Sequence, residues 1–154
     1  MNELKKIFLT FFFLLFFYNH SLADSVRVID GDTIEINKEK FRFANIDTPE
    51  KKQICFLDSI EIFCGNLATI VIKAKIGQEI PQCKREGEDH YKRILAECFV
   101  NGESLSKFLV RSGYAFAFRK YSDKFIEDEN FAKENKLGLW AMKVEYPWDF
   151  RKKN

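Results

Sequence analysis

The sequence predicts an α+β domain, a five-stranded OB-fold β-barrel carrying three α-helices. Three observations lead there. Residues 25–46 read as three short alternating segments divided by turn signals. One apolar helical stripe follows them. Two more strand segments and two helical segments then complete the order β-β-β-α-β-β-α-α, which suits a small Greek-key barrel.

The elements follow from local patterns. Residues 25–29 are rich in β-branched side chains, and Asp30-Gly31-Asp32 is a turn signal. Residues 33–36 alternate, and Asn37-Lys38-Glu39 makes a second turn before a third alternating run over 40–46. In that run Phe41 and Phe43 point one way and Arg42 the other. A polar loop through Cys55 comes next. Phe63, Leu67, Ile70, Val71 and Ala74 recur at helical spacing and stop before Gly77. Residues 79–84 read as a strand with an edge-type proline at Pro81, 85–90 as a charged loop, and 92–100 as a strand ending at the turn Asn101-Gly102. Leu105, Phe108 and Leu109 mark a second helix closed by Gly113. Ser122 is placed to cap a third, with Phe125 and Ala132 on its buried side and Gly138 at its end.

The chain has 154 residues, and the first 23 have the layout of a secretory leader. Lys5 and Lys6 precede an apolar run from Ile7 to Tyr18, and Ser21-Leu22-Ala23 places small residues where a signal peptidase reads. Cleavage is expected between Ala23 and Asp24, leaving one domain over residues 24–154. An uncleaved anchor is the rival, but the apolar run is shorter than the ~20 residues of a spanning helix. The leader carries Lys5, Lys6 and Glu3, so its loss takes the net charge from +2 to +1. A nearly neutral domain gains no nucleic-acid affinity from bulk charge, so such a function must rest on where charges sit. An exported monomer, periplasmic or secreted, without stable membrane association is expected.

Cys55, Cys64, Cys83 and Cys98 all lie beyond the leader, and an even count in an exported domain reads as two disulfides. Three pairings are open. Cys55–Cys64, bracketing a short loop, and Cys83–Cys98, on two neighbouring candidate strands, are favoured. A zinc site is disfavoured because no C-x2-C spacing occurs.

Three motifs carry candidate chemistry: DGDT (30–33), FRFANIDTPE (41–50) and YKRILA (91–96). They contribute the carboxylates Asp32, Asp47 and Glu50 and the guanidinium groups of Arg42 and Arg93. Taken singly, DGDT is more often an aspartate-stabilised turn, with Asp30 in that supporting role, and each arginine more often a surface or cross-strand ion pair. The set is more telling. Clustered carboxylates without a cation raise one another's pKa. A divalent ion would leave the three at −1, and two arginines would bring the site to +1, which matches one phosphodiester. Hard cations such as Ca2+ take oxygen ligands, and the extended Thr48-Pro49 segment leaves the Thr48 carbonyl open to face one.

In these strings, together with LVRSGYA (109–115) and LGLWA (137–141), the chain resembles the staphylococcal nuclease-like (thermonuclease) family from Ser25 to about Trp140. The resemblance implies an OB-fold barrel with three helices and calcium-dependent hydrolysis of DNA and RNA phosphodiesters, leaving 3′-phosphate ends. It implies metal binding by Asp32, Asp47 and the Thr48 carbonyl, phosphate binding by Arg42 and Arg93, and Glu50 as general base or water-orienting group. It also implies base stacking on Tyr91 and Tyr121, whose plainer role is packing, with little sequence preference. Arg119 falls where the family commonly has tyrosine and would contact phosphate instead. Lys92 stands where glycine is usual, and the loop 51–65 carries two cysteines, as in exported disulfide-bearing relatives. The extension PWDFRKK (147–153) is expected to pack Trp148 on the domain and leave a basic tail. The competing reading is a non-catalytic nucleic-acid-binding OB-fold module, and retention of the carboxylates and arginines argues against it.

Overall fold

The computed structural model describes residues 25–153, and the expected leader lies outside them. Strands β1 (Val26–Val28), β2 (Thr33–Ile36) and β3 (Glu39–Phe43) form the expected meander. The β2–β3 turn places Asn37 and Lys38 at positive φ, the twist a two-residue hairpin favours. The third strand is shorter than the sequence suggests. It breaks at Asn45, which has φ 64°, and resumes as β4 (Ile46–Asp47). That break turns Asp47 away from the sheet and pairs β4 with β10 (Phe116–Ala117), Phe116 opposite Asp47.

The segment expected as a polar loop through Cys55 is instead a hairpin, β5 (Ile54–Leu57) with β6 (Ile60–Phe63). Asp58, at φ 53°, makes its turn. Its apolar residues are partly exposed on both faces, so the period-2 signal is faint. Helix α1 (Cys64–Ile76) ends at Gly77 as expected. Strand β7 (Gln82–Glu88) starts after Pro81 and runs through the expected charged loop, because a register shift between Arg85 and Gly87 lets the ladder continue to Glu88 opposite Ile94. Its partner β8 (Ile94–Val100) also pairs with β9 (Glu103–Ser104).

Among the described residues the main sheet has six strands rather than five, in the order β1-β2-β3-β8-β7 with β9 on β8. It is antiparallel except for the parallel β3–β8 pair. Mixed α+β structure around a mostly antiparallel sheet is an OB-fold-like arrangement. Phe41, Phe43, Ile34 and Ala96 bury the inner face against Ile72 of α1 and Leu109 of α2 (Leu105–Arg111). Full burial of a side chain such as Phe43 contributes about 2–3 kcal/mol. Cys83–Cys98 links facing residues of β7 and β8 in the sheet, and Cys55–Cys64 ties β5 of the separate hairpin to the start of α1.

Helix α3 is Ile126–Glu134. It starts later than the Ser122 cap suggested, because Ser122 Oγ accepts from the Lys124 amide in a turn ahead of it. Gly138 opens a 3-10 turn (Gly138–Ala141) rather than ending the helix. A fourth helix, α4 (Pro147–Lys153), stands where a free basic tail was expected. Proline at its first position and basic residues in its last turn suit a short helix. Packing then holds it: Trp148 stacks on Tyr146 at 4.6 Å and leans on Phe118 at 5.6 Å. Its cations are engaged, Arg151 with Asp47 and Glu50, Lys152 with Asp149, Lys153 with Glu145. Among the described residues no helix is long and apolar enough to cross a membrane.

Candidate active site

Five separate stretches converge on one cleft of about 960 Å³. The β1–β2 turn supplies Asp32, β3 supplies Arg42, and the end of β4 supplies Asp47 and Thr48. The loop after β4 brings Glu50, and the β7–β8 turn brings Tyr91 and Arg93. Phe118 and Tyr121, beyond β10, and Arg151 of α4 close the far side.

Strand geometry sets the floor. Arg42 lies opposite Thr33 in the β2–β3 register, on the face its flanking phenylalanines avoid. Its Nη1 donates to Asp32 Oδ1 at 2.5 Å and its Nη2 to Asp47 Oδ1 at 2.8 Å. Asp32 Oδ1 also accepts from Thr33 Oγ1 at 3.1 Å, and Asp32 Oδ2 accepts from the Thr48 amide at 3.2 Å. Both aspartates are almost fully buried, at 2% and 1% exposure, so their charge must be met inside the protein. Burial pushes the Asp47 carboxyl above its ordinary range, and the neighbouring Asp32 adds to that against the hydrogen bond from Arg151. Burial and then Asp32 raise Asp30 to about 6. Burial works against the Arg42 charge, but Asp32 and Asp47 outweigh it and hold the guanidinium cationic.

This donor set suits a hard divalent cation. Among the described residues Asp32 Oδ2 has one donor and Asp47 Oδ2 has one, so each keeps a lone pair, and the carboxylate excess is the kind a cation relieves. Among the described residues no group of three or more His, Cys, Asp or Glu side chains forms a ready cage. Backbone carbonyl and water oxygens would have to complete the coordination.

Glu50 stands at the rim. Its amide donates to Gln53 Oε1 at 3.1 Å, the Gln53 amide donates back to the Glu50 carbonyl at 2.8 Å, and buried Gln53 reaches the Glu145 carbonyl at 2.6 Å. Neither Gln53 nor Arg151 stood out in the sequence. Arg151 Nη1 donates to Glu50 Oε1 at 2.7 Å and to Asp47 Oδ1 at 3.2 Å, and its Nη2 donates to Asp47 Oδ2 at 2.7 Å. The hydrogen bond to Asp47 is the foremost cause that raises the Arg151 pKa. The available signal was the i, i+3 spacing of Trp148 and Arg151, which puts an anchor and a cation on one helix face.

Arg93 lines the cleft, and its Nε donates to Asp89 Oδ2 at 2.7 Å. Burial acts against ionisation of Asp89, but the hydrogen bonds from the Arg93 backbone and side chain outweigh it and hold the carboxyl below its ordinary range. Tyr91 and Tyr121 stand exposed at the mouth, at 69% and 72%. Arg119 does not line the cleft. Its Nη2 donates to Glu129, a buried carboxylate that also accepts from the Ala117 amide and Lys133. A buried carboxylate left unpaired is costly, which accounts for where Arg119 goes.

Lys92, in the glycine position of the turn, sits at φ 61°. Left-handed backbone costs a residue with a side chain about 1 kcal/mol. Lys92→Gly is therefore expected to stabilise the protein by up to about 1 kcal/mol, offset in part by glycine's extra chain entropy. Urea unfolding of the two proteins checks this.

Residues 40–142 match the family described as Staphylococcal nuclease homologue. The succinoglycan biosynthesis protein ExoI of Rhizobium meliloti is 32% identical over 124 residues, covering 77% of this chain and 64% of that protein. An uncharacterized endonuclease of Escherichia coli is 31% identical over 137 residues, covering 82% and 84%. Endonuclease YncB of Bacillus subtilis is 33% identical over 127 residues, covering 75% of this chain and 59% of that protein. The chain thus spans most of the Escherichia coli relative and under two thirds of the other two.

Proposed function

The chain belongs to the family of staphylococcal nuclease homologues, and we propose from that premise that it is an exported, calcium-dependent nuclease that hydrolyses DNA and RNA phosphodiesters with little sequence preference. The observation that carries the reading is Arg42 bridging two buried aspartates on the floor of an open cleft. Endonuclease names among the relatives support the reaction class.

Asp32, Asp47 and the Thr48 carbonyl would hold the cation, which supplies Lewis-acid polarisation of a phosphoryl oxygen when bound. Among the described residues Arg42 gives two of its five N–H groups to the aspartates, which leaves donors for phosphate oxygens. Arg93 is fixed through Nε and keeps its terminal nitrogens for the same phosphate. A guanidinium does not give up a proton near neutral pH, so both arginines stabilise charge rather than donate. Glu50 orients the attacking water. Water oxygen bonds to phosphorus as the bond to the 5′ oxygen breaks; the attacking water gives up one proton to solvent and the departing oxygen takes one from it. A 3′-phosphate remains. Tyr91 and Tyr121 offer faces to neighbouring bases of any identity, which gives affinity without sequence readout. Both disulfides suit an oxidising compartment, periplasmic or extracellular.

End-group analysis of oligonucleotide products tests this. DNA and RNA strands cut in calcium buffer should carry 3′-phosphates. Products with 3′-hydroxyls, or an intact substrate, would refute the reading.

A further inference from the structure

The charge complement of the site differs from the one the motifs suggest. Arg93 is answered locally by Asp89, through both its side chain and its backbone amide. The cations facing Asp32, Asp47 and Glu50 are Arg42 and Arg151. Arg151 arrives from the far end of the chain, and one of its nitrogens, Nη1, joins Asp47 to Glu50. Glu50 Oε1 is thereby occupied, and among the described residues no donor falls on its Oε2. The side chain of Glu50 is 41% exposed, so without this contact it would sample many rotamers in water. The helix from which Arg151 reaches is anchored by Trp148, three residues earlier, which is stacked on Tyr146 and packed on Phe118.

We infer that Arg151 is a positioning residue for the reaction proposed above: it holds Glu50 in register with Asp47 so that Oε2 faces the cleft and orients the water. The inference rests on the nuclease reading. It makes the C-terminal helix a working part of the site. It also accounts for a bidentate arginine at this place, because a lysine cannot bridge two carboxylates with fixed planar geometry.

The test compares wild type, R151Q, R151K, E50Q and R151Q/E50Q in calcium, with steady-state kinetics and calorimetric calcium titration. Loss of Arg151 should lower kcat about a hundredfold, the size of effect that misplacing a reacting group produces. KM should change little, calcium binding should tighten only modestly as Asp47 loses a competing cation, and R151K should recover part of the rate. R151Q should cost little more once Glu50 is already glutamine, because the two act through one group. If R151Q does not fold, R151K carries the same measurements. An undiminished kcat overturns the inference, as does an equal loss in the E50Q background. Tighter calcium binding with full activity also overturns it, showing Arg151 to be a plug on the metal ligands. A wild-type protein that cleaves nothing overturns the nuclease reading and this inference with it.

Discussion

Replacing Arg42 by alanine is expected to lower kcat for phosphodiester cleavage about 10³-fold, the scale of losing a preorganised charge-stabilising donor. The same change leaves Asp32 and Asp47 buried without the guanidinium that joins them. Breaking a buried pair in this way costs about 3–5 kcal/mol, so the variant should be less stable as well. Calcium should restore part of that stability, because a divalent cation meets the carboxylate charge that the arginine met. Arg42→Lys keeps the charge but not the fork and should remain far below wild type. Steady-state kinetics and thermal melts with and without calcium check both halves. Full activity in either variant would remove Arg42 from the phosphate.

Gly65→Ala is expected to damage the site from a distance. Gly65 lies in the first turn of α1, where alanine is otherwise the better helix former by about 1 kcal/mol. A methyl group there would sit 2.0 Å from the Glu50 carbonyl oxygen and 2.8 Å from Lys51 Cα. Both are backbone atoms, so the loop carrying Glu50 has to move. Overpacking of this kind costs about 1–3 kcal/mol. Displacing Glu50 should lower kcat about 10²-fold while calcium binding persists. A wild-type rate would show that the Glu50 loop is tolerant of position.

These expectations draw on parts of the site that the sequence displayed unequally. Asp32, Arg42, Asp47 and Glu50 sit within 19 residues of one another, in motifs whose turn and strand signals already bring them together. The alternation of Phe41, Arg42 and Phe43 was enough to place Arg42 on the opposite face. Arg151 is 104 residues from Asp47 in the chain, and its ion pair is created by the packing of α4 rather than by any local pattern. The contact of Arg119 is likewise set by tertiary structure. The sequence suggested a phosphate contact for it, and the buried Glu129, ten residues on, takes its Nη2. The β5–β6 hairpin stayed hidden because its apolar residues lie partly exposed on both faces and leave no clean alternation. Local chemistry was legible, and long-range ion pairing was not.

Two buried aspartates and an arginine in this cleft are proposed to form a metal-dependent phosphodiester-cutting site. The most direct measurement is nicking of supercoiled plasmid DNA by the purified protein in calcium, in calcium with excess chelator, and after calcium is restored. Cleavage, its loss, and its return are the expected results. Cleavage that ignores the chelator, or no cleavage in any of the three, would contradict that proposal.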